Sequence, residues 1–584
     1  MYDAGIMPSS RPAWFIRVGC LATACTLLVC QEPPVLRVTT RLVEVNVIVT
    51  GKDGRPVEGL TKDDFTITED GKPQQIAGFS AERLRVLPPP ADPLPPGFYT
   101  NRYELKGGAP SGVTVILFDL MNTKFRDRAN ARQELLKFLR GQLRPDYRIA
   151  LYALDTELLL LYDFTSDAAR LIEAMERYRP RTLAGPDTVE RAAPDTGIGA
   201  LDQYLMRADQ IMSDMDAASR VRRTAAALEA IAGRVTALPG RKNLVWVTGG
   251  IPFSLGLGLR PMQDPARRTK RAQIPSGMDR RKNPLDAGDD DMFIEYPGAQ
   301  KRIFDAENER VARAMDSADM AVYPVDAQGL VGNPAVDARN RKSLEFEQRR
   351  KTTATSLPEE FYSNRETMQS IAGRTGGIAF LDENETGRAI AAAVEDSRVN
   401  YVLTYHPSQS HWDGRFQRIK VRVNRPGVSV RHRGGYLALP EEARVESNRQ
   451  TALLEDAHSP LESTAIRLVV ATRPDTPSAG RLDLRVIIEA KDVAFSRKDR
   501  SWAGKIDLAY VQQPTPDGKG TTLIKDNVEL KLTPENYARI IEEGLIIPKQ
   551  LSMASFAYRL KVVVRDANSG AVGSVEIPRG IPGR

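Results

Sequence analysis

The chain has 584 residues, 41% of them hydrophobic and 27% charged, which excludes a wholly disordered protein and gives length for about four domain-sized units. Lys and Arg number 82 against 75 Asp and Glu, and over this length a net charge of +7 does not by itself argue for nucleic acid. The three cysteines, Cys20, Cys25 and Cys30, all precede Gln31, which excludes thiol catalysis, cysteine zinc sites and iron–sulfur clusters in the rest of the chain.

Arg11 and Arg17 stand before the apolar run Val18–Val29 (VGCLATACTLLV), which stops at Gln31-Glu32. At about a dozen residues the run is too short to span a bilayer and reads as the core of an export signal over residues 1–30. Leu27-Leu28-Val29-Cys30 loosely resembles a lipobox, which makes Cys30 a candidate lipid anchor; the alternative is plain cleavage of the signal. The expected location is the periplasm, the cell surface or the medium, with no transmembrane helix in the mature chain.

Residues 36–85 read as a β module. Leu42, Val45 and Val47 lie in one run, Phe65 and Ile67 in another, and Lys52-Asp53-Gly54 and Asp70-Gly71 make turns. Residues 86–112, with LPPPADPLPPG and Gly107-Gly108, read as a linker.

From residue 113 the pattern becomes α/β. Val113–Leu120 is a continuous apolar strand, and Arg128–Gln142 is a helix with Ala131, Leu135 and Leu139 on one face. Strands follow at Arg148–Leu154, Leu158–Phe164, Asn243–Thr248, Met320–Val325 and Tyr401–Tyr405. Helices fit at Asp167–Tyr178, Ser219–Leu238, Ala299–Ser317 and Arg388–Arg398. This alternation predicts a mostly parallel sheet with helices on both faces, closed by a hairpin of Phe416–Val423 and Val428–Val430 around Arg425-Pro426-Gly427. The unit spans 113–437 with inserts at 180–217, 255–297 and 327–360. A connector at 438–460 leads to a C-terminal β-sandwich over 461–584, where Thr533-Pro534 opens one helix and Gly544 stops it.

The best chemical candidate is Asp119-Leu120-Met121-Asn122-Thr123, just past the first strand of this unit, because ligands of open α/β sheets bind at the carboxyl ends of strands. A carboxylate beside hydroxyl and amide oxygens there suits a hard cation such as Mg²⁺. The alternative is that Asp119 and Asn122 cap the following helix and bind loop amides.

The segments RVTTRLVEVNVIVTGKDGRPVEGLTKDDFTITEDGKPQQI, VILFDLMNTKFRDRANAR, GRKNLVWVTGGIPF and YPVDAQGL together resemble the exported von Willebrand factor A-related domain proteins of the acidobacterial type. The resemblance covers roughly residues 36–437. It implies a Rossmann-like von Willebrand factor A domain with a metal-ion-dependent adhesion site of the pattern Asp-x-Ser-x-Ser. Asp119 and Thr123 match that pattern, Met121 replaces the first serine, and Asn122 is the nearest substitute oxygen donor, one position out of register. A thioether is a poor ligand for Mg²⁺, Mn²⁺ or Ca²⁺. The second aspartate of the family follows a later strand, where this chain has Thr248-Gly249-Gly250. The site is therefore expected to be degenerate.

Other constellations are weak. His406, His411, His432 and His458 lack HExxH spacing, and Asp382-Glu383-Asn384-Glu385 lacks the terminal glutamate of a calcium loop, Ala393 standing there. Asp326 ends another strand and either lines the same crevice or caps a loop. There is no GxGxxG, GxxxxGK or GxSxG motif. The basic insert at 267–282 lacks interleaved aromatics and reads as a solvated loop without nucleic acid. The expectation is a non-enzymatic protein–protein interaction or adhesion protein. The alternatives are an envelope hydrolase with spatially assembled carboxylates and a structural subunit of a surface complex.

Overall fold

Alternating apolar residues make the first strands, and these find their partners far along the chain. The computed structural model describes residues 42–83, 94–105, 112–141, 143, 147–181, 199–251, 310–328, 359–381, 386–407, 415–438, 453–472, 480–498, 501–514, 520–555 and 557–578. The expected export signal with Cys30, the acidic loop at 382–385, and most of the inserts at 255–297 and 327–360 lie outside the described residues.

In chain order the first strands are β1 (Val43–Thr50), β2 (Phe65–Glu69), β3 (Lys72–Gln74), β4 (Ile76–Arg83) and β5 (Phe98–Thr100). The α/β part follows with β6 (Val113–Asp119), α1 (Phe125–Gly141), β7 (Ile149–Leu154), β8 (Leu158–Thr165), α2 (Ala168–Arg177) and α3 (Gly199–Val235). It continues through β9 (Lys242–Thr248), a helix at 310–318, β10 (Met320–Asp326), α4 (Glu359–Thr375) and α5 (Thr386–Glu395).

These strands form one sheet in the order β10-β9-β6-β7-β8. All pair in parallel except β8, which turns back on β7. Every residue of β6 is buried. Val113, Val115 and Leu117 join a core with Val221, Leu228, Val311 and Ile371, while Ile116 and Phe118 join the opposite core with Ala131, Leu135, Leu171 and Ile390. A strand between two helical layers is apolar on both sides, hence the unbroken run VTVILF. From β6 the chain goes outward to β7 and β8, then returns to the other side of β6 with β9 and β10. The order reverses between β6 and β9, the position at which open α/β sheets bind ligands beside the carboxyl ends of their strands.

Tyr401–Tyr405 does not join this sheet. It belongs to β11 (Val399–Tyr405), which pairs antiparallel with β1 and β4. Next come β12 (Phe416–Val423), β13 (Ser429–His432) and β14 (Gly435–Leu437). The sheet β13-β1-β11-β4 faces the sheet β14-β12-β2-β3 across a core of Val45, Val47, Ile67, Tyr401, Leu403 and Val421. The N-terminal module is thus not residues 36–85 alone. It is a sandwich assembled from residues 43–83 and 399–437, with the α/β unit inserted between its halves. An apolar run reports burial on both sides but not which neighbours cover it, which is why β11 read as part of the parallel sheet. The expected hairpin fails for a related reason: β12 and β13 lie in opposite sheets, β13 pairing with the edge of β1. Asp396 joins the two bodies, accepting both Arg431 guanidinium nitrogens at 2.6 and 2.5 Å and the Tyr323 hydroxyl at 2.5 Å.

The remaining elements are β15 (Leu468–Thr472), β16 (Arg481–Ile488), β17 (Ser496–Lys498), β18 (Ser501–Gln513), β19 (Thr522–Leu532), α6 (Pro534–Glu543), β20 (Leu545–Ser552), β21 (Arg559–Asp566) and β22 (Val572–Pro578). They form sheets β20-β16-β15-β5 and β17-β18-β21-β22, with β19 on β18. Helix α6 begins as its sequence dictates: the Thr533 hydroxyl accepts Asn536 N–H at 3.3 Å, and Pro534 occupies the first turn.

The region 86–112 is more than a linker. Its residues 98–100 are the edge strand β5 on β15, and Asn101 donates to the Ser463 and Ile466 carbonyls at 2.7 and 2.8 Å. Three residues are too few to show a period behind the prolines. The connector carries a helix at 453–458. The buried Lys561 ammonium donates to the Asp456, Ser459 and Leu461 carbonyls at and beyond its C-terminal end. The insert read at 180–217 is helical from Gly199 onward as the first half of α3. Its core-facing stripe starts only at Val221, so the apolar pattern marked just the second half. Helix α4 lies almost wholly beyond the 327–360 insert and has no counterpart among the expected helices.

Candidate functional site

Asp119 ends β6 and is fully buried. Its Oδ1 accepts the Asn122 backbone N–H at 3.0 Å, closing a turn at the entrance to α1. Its Oδ2 accepts Asn122 Nδ2 at 2.8 Å and Trp246 Nε1 at 3.0 Å, and it lies 3.0 Å from the Thr248 hydroxyl, also a donor to it. Asn122 Nδ2 also donates to Thr224 Oγ1 of α3 at 2.9 Å. The Thr123 hydroxyl donates to the Asp119 main-chain carbonyl and accepts Gly249 N–H at 2.9 Å. Arg128 Nε donates to the Thr123 carbonyl at 2.9 Å.

Burial pushes the Asp119 carboxyl above the usual range, and the neutral donors of Asn122, Trp246 and Thr248 oppose that only in part. Met121 is buried too, packed in the apolar core with Val221 and Trp246.

Glycine at 249 suits a tight approach of two loops. A Cβ there would stand 3.0 Å from Thr123 Cα and 3.1 Å from the Asn122 carbonyl oxygen, closer than ordinary contact. With no side chain at 249, the β9 loop lies close against the β6 loop, Gly249 N–H donating to the Thr123 hydroxyl.

Asp326 ends β10 in register with Thr248, at the same carboxyl edge of the sheet. Burial pushes its carboxyl up to about 6, against the Gln328 N–H that donates to Oδ1 at 2.9 Å. Gln328 Nε2 donates to the Gly249 carbonyl at 3.1 Å, which ties the β10 loop to the β9 loop.

The three expected residues Asp119, Asn122 and Thr123 are therefore brought together, but they face one another. A Mg²⁺ ion needs about six oxygen ligands in near-octahedral array. Here both carboxylate oxygens are turned to protein donors, and the Thr123 oxygen already accepts Gly249 N–H. The donor set as folded does not fit a hard dication. Among the described residues no group of three or more His, Cys, Asp or Glu converges on a metal position.

Sequence reasoning missed Trp246, Thr248, Thr224 and Gln328. Trp246 pairs in register with Leu117, so 246 and 248 share the parity of 117 and 119 on adjacent parallel strands. That signal becomes readable only once β9 is known to neighbour β6.

No family model matches the chain, and no curated protein matches it. Among solved structures it is similar to an aerotolerance-related membrane protein from Bacteroides fragilis, with 13% identity over 49% of this chain and 98% of that one and a TM-score of 0.22. It is also similar to the conserved hypothetical protein BatB from Bacteroides thetaiotaomicron, with 13% identity over 49% and 96% of the two chains and a TM-score of 0.22. A von Willebrand factor type A structure from Catenulispora acidiphila shares 12% identity over 86% and 74%, with a TM-score of 0.21. Likenesses at these scores carry no weight for the fold, which rests on the strand order and registers above. Among the described residues no helix is long and apolar enough to cross a membrane.

Proposed function

We propose that the chain is an exported protein-binding protein built around a von Willebrand factor A-type domain whose adhesion site works without a bound cation. The observation that carries this reading is the closed hydrogen-bond network at the switch point. Asn122, Trp246 and Thr248 engage the Asp119 oxygens that face a metal in the family pattern, and the three strand-end loops are locked to one another as a rigid platform.

What surrounds the platform supports a macromolecular partner. Helix α3 meets Asn122 at Thr224 but begins at Gly199, about 25 residues earlier, so its first half runs on for roughly 37 Å. Added polypeptide on this scale enlarges a binding surface far beyond what a small ligand uses. Export rests on the basic and apolar pattern of residues 1–30.

The test is photo-cross-linking in the native envelope with a reactive residue at exposed Lys124 beside the platform, or at exposed Pro239 at the opposite end of the sheet. The expected result is a discrete adduct from position 124, unchanged by chelator, with none from 239. Equal labelling from both positions, or loss of the adduct on chelation, contradicts the proposal.

A further inference from the structure

Residues 431–434 clasp the α/β unit to the sandwich, and one imidazole ring sits at the centre of the clasp. Arg431 reaches Asp396, just past α5, at 2.6 and 2.5 Å. Arg433 stands 3.9 Å from Asp316 of the helix at 310–318. Gly434 N–H donates to the Gly373 and Arg374 carbonyls at the end of α4, at 3.1 and 3.0 Å. Gly376, just past α4, lies so near that a Cβ there would stand 2.9 Å from the His432 carbonyl carbon.

His432 ends β13 opposite Val47 of β1, on the face that carries the sandwich core. Its Nδ1 lies 2.7 Å from the Arg433 carbonyl, and its Nε2 lies 3.1 Å from the Val421 nitrogen of β12 in the facing sheet. These partners fix the state of the ring. A carbonyl only accepts and an amide N–H only donates, so Nδ1 carries the proton and Nε2 is a bare acceptor. Two residues earlier on β12, Ile419 N–H donates to the Gly434 carbonyl at 3.0 Å. His432 thus continues with a side chain the row of acceptors that Gly434 begins.

Protonation inverts this contact. A proton on Nε2 faces the Val421 N–H, donor against donor, and leaves that amide without its acceptor. No acid stands against the ring to offset the added charge. On β1 the residues of its face, Val45, Val47 and Val49, are apolar. On β12 Lys420 and Arg422 flank Val421 but are exposed on the other face. Beside the ring, Arg431 is paired with Asp396, and Arg433 lies near Asp316 and over the Tyr436 ring. At the end of α4 stands Arg374, 4.0 Å from Asp316. Glu69 of β2 accepts the Tyr405 and Tyr436 hydroxyls at 2.5 and 3.1 Å. Burial accordingly pushes the ring below the ordinary histidine range.

We propose that His432 is an acid-sensitive pin, whose protonation withdraws residues 431–434 from α4 and loosens the α/β unit in its sandwich. The pin is independent of what the strand-end platform binds.

The test is native-state hydrogen exchange of the full chain at pH 7.5 and 5.5, corrected for the pH dependence of chemical exchange. Val421 N–H reports the ring contact, and Gly434 N–H reports the grip on α4. Both should lose protection at pH 5.5, by up to about tenfold, the limit for an open state whose histidine titrates near the ordinary 6.5. In His432→Gln the amide oxygen accepts at either pH, and both amides should be equally protected at the two. Unchanged protection in the wild type, or the same loss in His432→Gln, overturns the proposal. So does loss at Val421 without loss at Gly434, which would confine the effect to the sandwich. Should His432→Gln not fold, the four histidines of the wild type, labelled at Cε1 and followed by NMR, decide the matter. Gly434 should lose protection in step with titration of His432, and a His432 ring that becomes charged while Gly434 stays protected overturns the proposal.

Discussion

Trp246 Nε1 lies 3.0 Å from Asp119 Oδ2, joining the ends of two adjacent parallel strands through a carboxylate that no solvent reaches. An uncompensated buried carboxylate is costly, and this one is held by hydrogen bonds from neutral groups. Trp246→Phe removes one donor while keeping most of the apolar volume. The expected loss is about 1–3 kcal/mol in urea unfolding. Asp119 already titrates above the ordinary range, so its contribution is full at acid pH and falls as pH rises through its folded value. Losing a donor raises that value further, and the deficit of the variant should be smaller at acid pH than at neutral pH.

Gly249→Asp adds a carboxylate beside the Asp119 loop without creating a cation site. The new Cβ meets Thr123 Cα at 3.0 Å and the Asn122 carbonyl oxygen at 3.1 Å. The variant should lose about 1–3 kcal/mol by overpacking and show no calorimetric Mg²⁺ binding. Recovered Mg²⁺ binding at unchanged stability would show that the loops have room for an ion.

Asp326 supplies a pH test at the same edge of the sheet. Its carboxyl is pushed up to about 6 by burial, so between about pH 4 and 6 the unfolded chain releases a proton that the folded chain keeps. Stability from this group is full below that window and declines across it, by about 3 kcal/mol in all for a shift near two units. Asp326→Asn should flatten the unfolding free energy across the window and leave the slope elsewhere unchanged.

Lys561 makes a prediction in the C-terminal sandwich. Burial lowers its ammonium to about 8 while it caps the carbonyls after the 453–458 helix. Above that value the unfolded chain binds the extra proton, so stability should rise from about pH 8 toward 10. Lys561→Met abolishes the rise and leaves the three carbonyls without their donor. Amides of residues 453–461 should then exchange faster, with a loss of about 2–3 kcal/mol.

The sequence made the α/β unit legible because its strands are apolar on both faces and its helices carry long stripes, as in Val113–Asp119 and Val221–Val235. It also placed Asp119, Asn122 and Thr123 in one loop. Pairing partners were hidden. Val399–Tyr405 has the composition of a central parallel strand, and only its antiparallel registers with Val43–Val47 and Ile76–Arg83 reveal the sandwich. Phe98–Thr100 is too short for any period. The direction of the Asp119 carboxylate depends on Trp246 and Thr248, more than a hundred residues away, and on Gly249 having no side chain. Local patterns fix faces, whereas long-range registers fix neighbours.

The central claim, a strand-end platform that works without a cation, is tested most directly by calorimetric titration of the full chain with Mg²⁺ and Mn²⁺. Wild type and Asp119→Ala should both give only dilution heats. A saturable heat in the wild type that disappears in Asp119→Ala would contradict the account and return Asp119 to the role of a metal ligand.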